Sequence, residues 1–179
     1  MDCSSEERIF ELFGQSPLAW LEQADCLRMS AELVLAKFVE IHPLPQVLPG
    51  VRVQMLAFMD SYMLLMGLSF ENLIKGVHIS KTPDLSTEQR MKKWGKHRGG
   101  HGISTLIKVV DSVTSEEESI LKRLEEYVLW AGRYPIPVKV DQYCRSIKPE
   151  NRLFFTTRDP VLCDKLFKRL SAMIGTTTQ

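Results

Sequence analysis

Apolar positions recur at three- and four-residue steps over most of the chain before Pro135, and each run predicts a helix with one buried face. From Leu18 to Val39 the stripe is Leu21, Ala24, Leu27, Ala31, Val34, Leu35 and Phe38, with Ser16 as a cap and Pro17 at the first helical position. Pro43-Leu44-Pro45 ends that helix and opens a connector to Pro49-Gly50. The next helix, about Val51 to Ile79, is apolar on most sides and is therefore central. Lys81 to Gly100 reads as a polar connection with a short helix near Thr87 to Trp94. His101 to Val113 spaces Ile103, Leu106, Ile107 and Val110 for burial on a shorter helix. A helix from Glu116 to Gly132 follows, with Ile120, Leu121, Leu124, Tyr127, Val128 and Ala131 on one face. Thr114 or Ser115 with Glu117 and Glu118 supplies its capping-box start, and Gly132 and Pro135 stop it.

Beyond Pro135 the pattern changes. Ile136 to Val140 is extended, with Pro137 arguing against a central strand, and Leu153 to Thr157 is an extended packing segment. Asp159-Pro160 begins a last amphipathic helix that uses Val161, Leu162, Leu166, Leu170 and Met173 and ends at Gly175. The prediction is an all-α protein of one domain, residues 1–179. Its core, about residues 18–135, is an up-and-down four-helix bundle, and an extended arm and a further helix occupy residues 136–175.

Composition narrows the functional classes. A hydrophobic share of 44% with 25% charged residues is that of a soluble globular protein. A net charge of +1 gives no whole-molecule field for nucleic acid or an anionic membrane, so any such contact has to be local. Cys3, Cys26, Cys144 and Cys163 form no CxxC pair; they read as reduced thiols of a cytoplasmic protein without metal-ligand spacing. Met1 to Phe10 is acidic and polar, unlike a secretory leader. The most apolar window, Val53 to Phe70, contains Asp60, Ser61 and Gly67 and reads as a buried helix, not a membrane span. No P-loop, Gly-x-Ser-x-Gly elbow or HExxH occurs, and no cofactor is expected.

Three short motifs fall on successive core helices. They are Gly67-Leu68-Ser69-Phe70-Glu71-Asn72-Leu73-Ile74-Lys75-Gly76, then Gly100-His101-Gly102-Ile103, then Tyr127 with Ala131-Gly132-Arg133-Tyr134-Pro135. In this order they resemble the HEPN superfamily (higher eukaryotes and prokaryotes nucleotide-binding) over about residues 18–135. The resemblance implies a small all-α bundle that forms a homodimer, a nucleotide or RNA phosphate as ligand, and a nucleotidyltransferase-like partner protein. Nuclease members carry a histidine four to six residues beyond an arginine of the last core helix. Here Val138, Lys139 and Val140 follow Arg133, and none can serve as a general acid or base near neutral pH. Arg90 stands seven positions before His97, but in the polar connector. The chain is therefore expected to be non-catalytic.

The candidate residues each admit a plainer role. Arg133 either serves the last carbonyls of its own helix or holds an anion in a groove, with Tyr134 as a stacking face. Glu71 and Lys75, four apart, form an ion pair at the surface or a partly buried network with Arg133 that shapes the groove. Asp60 is expected to be hydrogen-bonded or at the solvent face, and Met55, Met59, Met63 and Met66 to pack the core or a dimer face. Arg90, Lys92, Lys93, Lys96 and Arg98 form a basic run with Trp94, His97 and His101, and Gly95, Gly99 and Gly100 allow tight turns. Such a run receives phosphate, with Trp94 stacking a base, or is simply solvated. His97 and His101 lack a third metal ligand, and no metal site is expected. The leading expectation is phosphate binding without cleavage through Arg133, Tyr134, Lys96, Arg98 and His101, with Glu71 and Lys75 in support. The alternative is a protein-interaction module with Arg133 structural, and a weaker third is a ribonuclease using His101 or His97 with Arg133.

Overall fold

The computed structural model describes residues 3–45, 47–96, 98–137, 139–146 and 153–175, and among these it is all-α, with no strand. The helices are α1 (Cys3–Gln15), α2 (Pro17–Ile41), α3 (Val51–Lys81), α4 (Thr87–Gly95), α5 (Ile103–Leu106), α6 (Ser115–Glu126), α7 (Val140–Ser146) and α8 (Asp159–Gly175). Short 3-10 turns at Arg98–Gly100 and Ile107–Val109 flank α5, and a π turn at Tyr127–Ala131 continues α6.

Helix α2 pairs with α3 along its length, with small residues fully buried and Leu21, Val34 and Leu35 half-buried beside them. Ala24 and Ala31 are the fully buried residues of α2. The Ser69 hydroxyl donates to the Ala24 carbonyl at 2.7 Å inside this seam, so both polar groups are satisfied without water. From Tyr62 to Ile79, α3 is the core, whereas its first turns expose Val53 and Leu56. It is the one described helix long and apolar enough to cross a membrane by length and composition. Gly67 lets α6 approach: a Cβ there would stand 2.5 Å from Val128 Cγ2 and 2.9 Å from the Leu124 carbonyl oxygen.

Helix α8 closes the core with Cys163, Leu166, Phe167, Leu170 and Ile174, Phe167 meeting Phe70 edge-on at 6.2 Å. Its first residue is tied to α6. Arg123 Nη1 and Nη2 donate to the two Asp159 carboxylate oxygens at 2.8 and 2.9 Å, and the same carboxylate accepts from the Thr156 amide and hydroxyl. Arg169 on α8 pairs with Glu117 at 2.7 Å, while Glu117 also closes the capping box on Thr114.

Local structure departs from the expected elements in three places. Residues 3–15 form a helix, α1, where a polar N-terminus was read. The helix expected from His101 to Val113 is one α-turn and one 3-10 turn, because Gly102 is non-helical (φ −80°, ψ 70°), Val110 is extended and Ser112 has φ 62°. Part of the stretch read as extended, from Val140, is helical in α7. Asp60 is half-buried and bonded to the Tyr127 hydroxyl; Met63 and Met66 are core, and Met55 and Met59 are half-buried.

Candidate functional site

Two arrangements stand out: a polar cluster where α3 meets the start of α5, and an apolar surface around α1. In the cluster, α3 puts Glu71 and Lys75 one turn apart and facing inward. Lys75 Nζ donates to Glu71 Oε1 at 2.6 Å, with side-chain exposures of only 10% and 7%. This is a buried pair, not the exposed helical one that the spacing alone suggests. The ammonium lies 5.7 Å and 5.4 Å from the ring centroids of Trp20 and Trp94, whose faces substitute for part of its lost hydration.

The other Glu71 oxygen accepts from His101 Nδ1 at 2.8 Å. A carboxylate only accepts, so it fixes the hydrogen on Nδ1 and leaves Nε2 with the free lone pair in the neutral ring. Nε2 has no partner among the described residues, and the His101 side chain is 42% exposed, so the cluster opens to solvent at this ring. The next turn is anchored as well. Glu125 accepts from the Ser104 amide and hydroxyl, each at 2.6 Å, which satisfies donors at the start of α5.

Arg133 does not join this cluster. Its Nη2 donates to the Leu129 carbonyl at 2.6 Å and its guanidinium lies over Tyr134 at 5.3 Å, both side chains being exposed. The adjacent Gly132 abuts Leu64, seven residues before Glu71 and so roughly 10 Å away along α3. The expected network of Glu71, Lys75 and Arg133 is therefore replaced by one of Glu71, Lys75 and His101. Of the proposed ligand residues, Glu71, Lys75 and His101 meet; Arg133 and Tyr134 lie at the carboxyl end of the π turn.

The basic run is split by the faces of α4. Lys92, Lys93 and Lys96 point outward, with Lys92 paired to Glu88 at 2.7 Å, while Arg90 and Trp94 are buried. Trp94 therefore offers no stacking face for a base; it packs on Trp20 and His78 instead. Arg98 lies in the 3-10 turn, its side chain outside the described part, and His97 and Val138 lie outside the described residues. Among the described residues no three His, Cys, Asp or Glu side chains gather as metal ligands.

Arg90 donates to the Thr82 carbonyl, and next to it His78 packs its ring on Trp94 at 5.8 Å. Burial first, then the cations Lys93 and Arg90, hold the His78 imidazole below its ordinary value of 6.5. The unfolded chain then binds the proton more readily, so stability rises with pH up to that ordinary value and levels above it. Urea midpoints measured from about pH 5 to about pH 7.5 should show this rise, and His78→Phe should flatten it. An unchanged slope in the variant would refute the assignment.

The apolar surface lies on α1, outside the core of residues 18–135 that the sequence predicts. On α1, Ile9, Phe10, Leu12 and Phe13 are all more than half exposed, and Leu12 reaches 68%. A groove of about 390 Å³ runs between Ile9, Phe10 and Phe13 of α1, Ala19 and Trp20 of α2, and Met91 of α4. Glu11 fastens α1 here by accepting from the Thr87 hydroxyl at 2.7 Å, at the start of α4. Comparison with protein-family models, curated proteins and solved structures found no match. Leu18, Met29 and Leu33 add to the exposed apolar surface along α2, Leu33 being 73% exposed. The signal in the sequence was the helical spacing of Ile9, Phe10 and Phe13, masked by Glu6, Glu7 and Glu11 between and beside them.

Proposed function

We propose that this chain is a cytosolic, HEPN-like protein-interaction module that works as a homodimer. In this reading α2, α3, the α5 region and α6 form the four-helix core, with α8 laid over it. The observation that carries it is the apolar side of α1, where four large side chains stand mostly in water next to a groove of their own character. Contiguous exposed apolar surface of this kind favours a protein partner over solvent. Arg133, engaged on the carbonyl of its own helix, is a structural residue here. The meeting of Glu71 with His101 supports the resemblance, since these come from two separate motifs that it aligned.

Light scattering after size exclusion should give twice the chain mass for the wild type and the single-chain mass for Phe10→Asp/Phe13→Asp, with helical content unchanged. A monomeric wild type that binds a nucleotidyltransferase-like protein one to one would move the surface to that partner. A monomer that does neither would remove the reading.

A second reading is phosphate binding without cleavage at His101, favoured by the Glu71-oriented ring at the solvent edge and the outward-facing Lys96 nearby in sequence. A protonated ring held by Glu71 presents Nε2–H to an anion. Titration with labelled RNA and nucleoside triphosphates at low salt should then show saturable binding, weakened in His101→Ala and Lys96→Ala and unchanged in Arg133→Ala. Binding that ignores the first two variants would exclude the site.

A further inference from the structure

A second cavity lies away from α1 and beside the polar cluster, sharing Ser104 of its anchored turn. A cleft of about 460 Å³ separates α5 and its 3-10 turn from α6, within the volume range of small-molecule sites. Ile107, Val110 and Leu121 contribute buried apolar side chains to it, with Val113 half-buried beside them. Its polar lining is unequal in charge, with two lysines, Lys108 and Lys122, against one carboxylate, Glu118. Lys108 is exposed and has no ion-pair partner among the described residues. Lys122 stands 3.8 Å from Glu118, with side-chain exposures of 66% and 54%, so solvent weakens that pair and leaves the ammonium free to take a better anion. Thr105 adds a hydroxyl to the same lining.

The cleft's edge is built rather than loose. Ser112, between the lining residues Val110 and Val113, is the one described non-glycine residue with a left-handed backbone, a conformation that costs of order 1–2 kcal/mol for an L side chain. Lys81 reaches across from α3 to hold this turn, donating to the Val109 carbonyl at 2.8 Å and pairing with Asp111 at 3.5 Å.

We infer that this cleft binds a small monoanion with an apolar body: a carboxylate or like headgroup on Lys108, Lys122 and the Thr105 hydroxyl, and an apolar chain laid along the cleft against Val113 and the accessible edges of Ile107 and Val110. Ligands of this form match both the cation excess at the rim and the apolar lining. The inference is independent of the function proposed above, since the cleft includes neither α1 nor His101.

Octanoate and octyltrimethylammonium, which share a tail and differ in head charge, are the probes. In amide-resolved NMR of the full chain, octanoate should give saturable shifts at Thr105, Lys108, Val113 and Lys122, and the cationic analogue should not. Lys108→Glu/Lys122→Glu, both at exposed positions, should weaken octanoate by at least about tenfold with helical content unchanged. Equal response to the two probes, shifts centred on the α1 groove, binding unaffected by the charge reversal, or no response at millimolar octanoate would each overturn the site.

Discussion

Asp159→Ala is expected to destabilise the protein by about 3–5 kcal/mol. Its carboxylate holds both Nη atoms of Arg123 and the amide and hydroxyl of Thr156. The pair is almost closed to solvent, with side-chain exposures of 12% for Arg123 and 4% for Asp159. Removing the anion leaves a guanidinium that cannot give up its proton, held against Phe154 at 4.3 Å. Urea unfolding should show the loss, and Arg123→Met in the same background should recover a substantial part of it by removing the unpaired cation. A single-variant effect below about 1 kcal/mol would mean that water reaches the guanidinium after all.

Glu71→Ala should cost a similar amount, about 3–5 kcal/mol, because it strands the Lys75 ammonium between Trp20 and Trp94 and releases His101. Lys75→Met is expected to be milder, since Glu71 keeps the His101 ring and the new side chain fills the same apolar space. The double variant Glu71→Ala/Lys75→Met should be more stable than Glu71→Ala alone. Thermal and urea unfolding of the three proteins test that order. Equal losses in both single variants would show that the pair is valued for packing rather than for charge.

The same residues show where sequence reading succeeds and where it stops. Helices α2, α3, α4, α6 and α8 are legible because each announces itself locally, by apolar spacing and by caps such as Ser16 and Thr114. The region after His101 is not. Its apolar spacing fits a helix, but the non-helical Gly102, the extended Val110 and the left-handed Ser112 interrupt the chain too often for one to continue. Glu71 and His101 are expected in one groove with Arg133; packing brings the first two within 2.8 Å and leaves Arg133 on its own helix. For Arg133 the sequence leaves two roles open, and the structure shows the local one, since the π turn aims the guanidinium back at the Leu129 carbonyl. Arg123 and Asp159 lie 36 positions apart in different elements, so no periodic pattern connects them. Burial also reassigns Trp94, which in the sequence sits among lysines and in the fold faces the core.

The late helix α8 has a consequence for how the protein is made. Phe70 meets Phe167, Gly76 abuts Ile174 and Glu117 waits for Arg169, so the middle of the chain stays uncovered until residues near 174 have left the ribosome. During synthesis the α2–α3 hairpin can form early, but it must keep a greasy flank in water while the remainder is translated. In that interval the exposed flank is the surface a chaperone would hold.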